Sequence, residues 1–169
     1  TWAKADPRLP ADLFATLTPT WHRGVALRSD YARRQALVEL DVIVATALGI
    51  TLEQLLDIYR IQFPVLQQNE RDTWYDRSGR IVYTVSDGLH GVGVEKTRRR
   101  RGDRGDYWED VIDPETFTGS LSKTFEDDTL PGGPHERTVV YQGPFDRCDR
   151  EADYRQAWAA FSGRFGGAR

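Results

Sequence analysis

Sulfur-containing residues are almost absent from this sequence of 169 residues, which has one Cys and no Met. Cys148 cannot form a disulfide within the chain and cannot build a thiolate metal site by itself, so we expect a reducing, cytoplasmic environment. No apolar run approaches the roughly 18 residues of a membrane span, so we expect no membrane contact. The absence of Met, together with a start at Thr1, predicts a segment of a longer protein.

Residues that typically carry catalysis or bind metal ions are also scarce. The three histidines lie far apart and lack metal-ligand spacing: His22, His90 and His135. Cys148 precedes a predicted helix, where a thiolate would be favoured, but a single Cys in that position is more often structural. Acidic pairs such as Glu126-Asp127 lack the Pro-Asp and acid-x-Lys pattern of a common nuclease core. We therefore predict no catalytic residue, no metal site and no cofactor in this chain.

The first predicted helix follows Ser29 or Asp30, either of which can cap it. Its apolar stripe has spacings of three and four residues and consists of Leu37, Leu40, Val44, Ala47 and Leu48. Gly49 follows the stripe, and a glycine there favours a left-handed helix stop. The stripe is expected to be the face that packs.

A second helix is predicted after Thr51, which fits a capping box with Gln54. It ends before Pro64, because a residue that precedes proline disfavours helical geometry. Its apolar residues are Leu52, Leu55, Leu56 and Tyr59. The two helices form a hairpin whose apolar stripes are wide enough to need a partner surface.

β structure is predicted for the middle of the chain. Trp74-Tyr75 and Arg80–Val85 flank a turn in which Gly79 supplies a positive φ. Further candidate strands are Gly91–Val94, Tyr107–Ile112 and Arg137–Gln142. Asp149 can cap a C-terminal helix.

These elements predict an α+β fold: a helical hairpin, then a mostly antiparallel β region and a C-terminal helix. The hydrophobic and charged fractions, 39% and 29%, are typical of a soluble globular protein. The length suits one compact domain. Its predicted segments are an extended lead-in (1–28), the helical hairpin (29–64), a β-rich region with an Arg-rich loop (65–145), and a C-terminal helix and tail (146–169).

Positive charge is concentrated in that loop. From Lys96 to Arg104 there are six cations and one acid, a net charge of +5, so the other residues must carry −8 to give the total of −3. Guanidinium groups bind phosphates bidentately and can read guanine edges in a major groove. The residues predicted to contact DNA are Lys96, Arg98, Arg99, Arg100, Arg101 and Arg104, with Arg77 and Arg80 as helpers. The alternative is a solvated loop, or one paired with nearby acids such as Glu109.

The stretch YARRQALVELDVIVATALGITLEQLLDIYRIQFP, from Tyr31 to Pro64, resembles a segment in the C-terminal region of large adenine-N6 DNA methyltransferases. These include type IIG restriction–modification enzymes and related phage-defence methylases. Their pattern, L-D-apolar-A…GL-(S/T)-x-E-x-(L/F)-x-x-I, often ends in Phe-Pro. The matching positions here are Asp41, Gly49, Thr51, Glu53, Ile58, Phe63 and Pro64. The segments DTWYDRSGRIVYT, DDTLPGGP and PFDRCDREADYRQAW are similar to the tails of actinobacterial members.

The resemblance implies a parent protein that is an S-adenosylmethionine-dependent adenine-N6 DNA methyltransferase. In that family an upstream domain carries the Gly-rich cofactor motif and the (N/D)-P-P-(Y/F) catalytic motif, and neither motif is in this chain. The chain would then be a non-catalytic segment that contacts double-stranded DNA, or packs against the upstream methyltransferase domain. The Arg-rich loop matches no motif of the family.

A different class of function is a protein-interaction module without direct nucleic-acid contact. In that interpretation the exposed faces of the two helices and the Trp-rich segments dock onto a partner domain, and the Arg-rich loop is merely solvated. A free-standing enzyme has the weakest support, because no nucleophile and base can be paired.

Overall fold

The structure is a computed structural model that describes residues 6, 8–10, 12–83, 92–94, 114–129 and 131–165. The chain divides into two compact units: a helical unit of Thr1–Arg71 with Cys148–Arg169, and a sheet unit of Asp72–Arg147. The predicted α+β class is confirmed, with N-terminal helices, antiparallel sheets and a C-terminal helix that packs on an N-terminal one. The four-segment organisation within one compact domain stays a prediction.

The helices are short except for two. They are α1 (Leu13–Thr16), a 3-10 turn (Arg23–Val25), α2 (Asp30–Ala47), α3 (Leu52–Gln62), α4 (Pro64–Asp72) and α5 (Arg150–Phe165). Across the described part of the chain, no helix is long and apolar enough to cross a membrane.

The predicted start of α2 and the predicted turn between α2 and α3 are confirmed. The Ser29 side chain accepts a hydrogen bond from the Ala32 N–H, which satisfies one of the free donors at the start of α2. Gly49 has a φ of 73°, a conformation that a side chain would strain. Thr51 and Gln54 form the reciprocal capping box at the start of α3.

The predicted packing face of α2 is wrong. Leu37, Leu40, Val44, Ala47 and Leu48 are all exposed. The helix instead buries the face of Val38, Val42 and Ala45, which packs against Tyr154, Ala157 and Phe161 of α5. The sequence concealed this face because it also carries Arg34 and Gln35, two polar residues that are buried.

Helix α4 was missed by the sequence analysis, which assigned residues 65–72 to the β-rich region. Pro64 is its first residue. Proline is common at this position because an N–H in the first turn of a helix would have no intrahelical acceptor, so its absence costs nothing. The proline therefore ends α3 and begins α4.

The described residues of the sheet unit form two small antiparallel sheets. One has the order β2-β1-β5, from β1 (Trp74–Tyr75), β2 (Ile81–Tyr83) and β5 (Asp146–Arg147). The other pairs β3 (Ser120–Asp127) with β4 (His135–Gln142). The core of the sheet unit comprises Val82, Tyr83, Tyr141 and Phe145. The hairpin at Gly79 is confirmed, with a φ of 71°.

Two strands, β3 and β5, were not predicted. The β3 segment SLSKTFED carries few large apolar residues, so its alternation is weak. β5 is only two residues long, and it follows Arg137–Gln142, which is the last candidate strand in the sequence analysis. The candidate strand Tyr107–Ile112 and residue 91 lie outside the described residues, while residues 92–94 form no strand.

Two valines of α2 provide a matched test of the corrected face. Val38→Ala should lower the free energy of unfolding by about 2 kcal/mol, since it removes two buried methyl groups and leaves a cavity. Val44→Ala, at a side chain that is 53% exposed, should change it by less than about 0.5 kcal/mol. Both changes have the same effect on helix propensity. Urea denaturation measures the difference, and equal losses would contradict the assigned face.

Candidate functional site

Six of the predicted DNA contacts lie outside the described residues. They are Lys96, Arg98, Arg99, Arg100, Arg101 and Arg104. The two predicted helpers, Arg77 and Arg80, are described and belong to the turn between β1 and β2. Their surroundings differ sharply.

Arg80 is engaged inside the sheet unit. Its Nη2 lies 2.7 Å from Oδ2 of the fully buried Asp76 and also donates to the Val140 carbonyl oxygen. The Asp76 carboxylate further accepts the N–H groups of Ser78 and Arg80 at 2.8 and 2.9 Å. Because the Arg80 guanidinium neutralises the buried Asp76 carboxylate, its main role is structural.

Arg77 is exposed on the same turn. Its backbone N–H donates to the Gln142 carbonyl oxygen at 3.2 Å, which fixes the backbone and leaves the side chain in solvent. Its guanidinium forms no ion pair with a described residue. Of the two helpers, Arg77 is therefore the one that could reach a phosphate.

Cys148 is a poor nucleophile in this fold. Burial raises the pKa of the Cys148 thiol to about 11, although the neighbouring charges of Arg34 and Arg8 act in the opposite direction. The thiol therefore stays protonated near neutral pH, and the thiolate considered for this position does not form there. Within the described ranges, no three His, Cys, Asp or Glu side chains are placed to hold a metal ion.

An apolar groove lies beside α2 in the helical unit, and we call it the α2–α3 groove. Its volume is about 460 Å³. It is lined by Leu37, Leu40, Asp41, Val44, Ala45, Leu48, Ile50, Leu55, Ile58, Tyr59, Phe63, Leu66, Arg150 and Tyr154. The exposed stripe that was expected to pack thus forms one wall, and Ile58 and Phe63 contribute to the other.

The groove contains one polar side-chain cluster. Tyr154 Oη donates to Asp41 Oδ2 at 2.7 Å, and Arg150 Nη1 lies 3.4 Å from the same oxygen. Burial raises the pKa of Tyr154, and the hydrogen bond to Asp41 acts in the same direction. The phenol therefore remains a donor, so Asp41 holds α2 to α5.

A buried ion network supports the groove from α4. Glu70 accepts from Arg150 Nη2 at 2.7 Å, from Arg34 Nε at 3.1 Å and from Tyr59 Oη at 2.9 Å. Arg34 also pairs with Asp153 at 2.5 Å. Burial by itself would raise the pKa of Glu70, but the hydrogen bond from Arg150 and the charge of Arg34 outweigh it, so this pKa lies below its ordinary value. One carboxylate therefore joins α2, α3, α4 and α5.

Several wall residues of the groove were singled out from the sequence, as apolar stripes that need a partner surface. The network was missed, because Glu70 and Arg150 are separated by 80 residues in the chain. A usable signal was the apolar content of α2, whose stripes occupy more of its circumference than one core face needs.

No protein-family model, curated protein or solved structure matches this chain. The resemblance to adenine-N6 DNA methyltransferases therefore depends on the residues quoted above.

The ion network yields a prediction on stability. Glu70→Gln should lower the free energy of unfolding at pH 7 by about 3 kcal/mol, since it leaves two buried arginines short of a counter-charge. Because the pKa of Glu70 is lowered by folding, its stabilisation is present above the pKa of the unfolded chain and is lost as the pH falls below about 4.5. The variant should therefore lose less stability than the wild type between pH 7 and pH 3.

The matched control is Glu151→Gln, which breaks the exposed pair with Arg60. It should cost less than about 1 kcal/mol. Denaturant titrations at several pH values measure both variants, and equal losses at pH 7 would show that Glu70 does not organise the helices.

Proposed function

We propose that this chain is a non-catalytic C-terminal segment of an adenine-N6 DNA methyltransferase from a restriction–modification or phage-defence system, and that it contributes to DNA binding. The parent would supply S-adenosylmethionine binding and methyl transfer from its upstream domain. The observation that carries the DNA contact is the net charge of +5 between residues 96 and 104. Such a density of guanidinium groups favours a phosphate backbone as partner.

Several of the positions that carry the resemblance have identifiable structural roles in this fold, which supports the proposal. Gly49 and Thr51 make the turn between two helices, and Pro64 begins a third. Asp41 binds Tyr154, and Glu53 pairs with Arg155 of α5 at 3.5 Å. The matching positions from Asp41 to Pro64 therefore all belong to one compact helical unit.

The DNA contact can be tested with a duplex oligonucleotide and the 169-residue chain. Changing Arg98, Arg99, Arg100, Arg101 and Arg104 together to Ala should weaken binding at least tenfold. It should also reduce the slope of log affinity against log salt by about 0.9 for each arginine that contacts a phosphate. Fluorescence anisotropy at two salt concentrations measures both quantities.

A control with the same change of charge separates contact from net charge. Five exposed arginines of the helical unit serve this purpose: Arg23, Arg28, Arg33, Arg71 and Arg155. Their replacement by Ala should leave most of the affinity and the slope. If the loop variant kept the wild-type affinity and slope, the DNA contact would be assigned to the wrong residues.

A second function, docking onto a partner domain, is favoured by the α2–α3 groove. Leu37, Leu40, Val44 and Leu48 expose between 53% and 70% of their surface along one wall. Contiguous apolar surface of this kind typically marks an interaction site. In the parent protein the partner would be the upstream methyltransferase domain, and docking and DNA contact would use different parts of the chain.

Docking can be tested with the upstream region of the parent produced as a separate chain. Leu40→Glu combined with Val44→Glu should weaken its association with this chain at least tenfold, because two charges would be buried in an apolar contact. Val65→Glu is the control, since Val65 is 68% exposed and does not line the groove. Circular dichroism should show that both variants are folded, and unchanged association of the double variant would refute docking through the groove.

A further inference from the structure

The α2–α3 groove has the dimensions of a helix-binding site. Leu37 and Leu48 are separated by eleven residues, which at 1.5 Å per residue makes the exposed wall about 16 Å long. That length accommodates about three turns of a second helix. The exposed positions Leu37, Leu40, Val44 and Leu48 follow helical spacing, as a wall that packs against another helix does.

The chemistry of the walls favours a helix over an extended peptide. Both walls are formed by helices, whose backbone groups are already hydrogen-bonded within α2 and α3. An extended peptide would bury N–H and C=O groups without partners in this apolar groove, whereas a helix pairs its own backbone groups. Apolar side chains at i, i+3, i+4 and i+7 of such a helix could then fill the groove.

Asp41 specifies the charge of the occupant. Of the described residues that line the groove, only Asp41 and Arg150 are charged. Arg150 binds Glu70 through Nε and Nη2, and only its Nη1, at 3.4 Å, faces Asp41 Oδ2. The Asp41 side chain is 46% exposed, its Oδ2 is used by Tyr154, and its Oδ1 has no partner among the described residues. A helix that covers Asp41 would remove water from a carboxylate that is only partly neutralised, which is costly unless the helix supplies a cation.

We propose that the α2–α3 groove receives an amphipathic helix of about three turns that carries one Lys or Arg opposite Asp41. This proposal depends on the docking function above and adds the chemistry of the partner. The apolar residues of the helix supply the contact area, and the cation sets its register in the groove. A helix with an acidic residue at that position binds more weakly.

Two synthetic peptides of about 14 residues, held helical by a lactam bridge, test this proposal. Both present Leu at i, i+3, i+4 and i+7, and they differ only in having Lys or Glu beside the apolar face. We expect the Lys peptide to bind the 169-residue chain about ten times more tightly than the Glu peptide by isothermal titration calorimetry. Leu40→Glu in the chain should abolish the binding of both peptides.

Variants of the chain show whether Asp41 is the cause of the difference. Asp41→Asn keeps an acceptor oxygen for Tyr154 and removes the charge, so the ratio of the two affinities should fall to about twofold or less. Asp57→Asn removes an exposed carboxylate of α3 that does not line the groove, and it should leave the tenfold ratio unchanged. Thermal unfolding shows that each variant is folded.

Three results would overturn the proposal: no binding of either peptide, binding that persists in Leu40→Glu, or a ratio that is unchanged in Asp41→Asn. If neither peptide binds while the upstream region still associates through the groove, the helix is wrong and docking stands. If the upstream region also fails to associate, the docking function fails with it.

Discussion

The helical unit is organised around one largely buried carboxylate. Glu70 of α4 is held by Arg34 of α2, Arg150 of α5 and Tyr59 of α3, so four helices converge on two oxygen atoms. A buried ionic group is not a general source of stability, because desolvation consumes much of what pairing returns. What the network contributes is a set of links between helices, since Arg34 binds both Glu70 and Asp153 while Arg150 binds both Glu70 and Asp41. The core of Val38, Leu56 and Ala157 packs between helices that these pairs connect.

Local features were predictable from the sequence wherever one residue decides the backbone. Ser29, Gly49, Thr51 and Gly79 each have a chemical reason to end a helix, start one or turn a strand, and each does so. The packing face of α2 was not predictable in this way. The helix has two apolar stripes, and the buried one was concealed because it also carries Arg34 and Gln35, which look like surface residues in the sequence. Arg34 pairs with Glu70 and Asp153, which lie far away in the chain, so periodicity contains no trace of that pairing.

The candidate site could be predicted from the sequence only where it depends on local composition. The charge density of residues 96–104 can be read directly from the sequence. The ion pair between Arg80 and Asp76 cannot, because it depends on the burial of Asp76 in the folded sheet unit. Several residues of the α2–α3 groove were identified from the sequence as apolar stripes that need a partner surface, without the identity of that surface. Apolar patterning reports that a surface is covered, but not whether this chain or another one covers it.

The helical unit is assembled from the two ends of the chain, with residues 72–147 inserted between them. When a ribosome has released α2, α3 and α4, the helix against which Val38 and Val42 pack has not yet been synthesised. The inner face of α2 therefore stays unpacked until more than seventy further residues have been synthesised, and the sheet unit can fold before that. A stop codon that removed only α5 would leave Arg34 and Glu70 without two of their partners and both faces of α2 open to solvent and to chaperones.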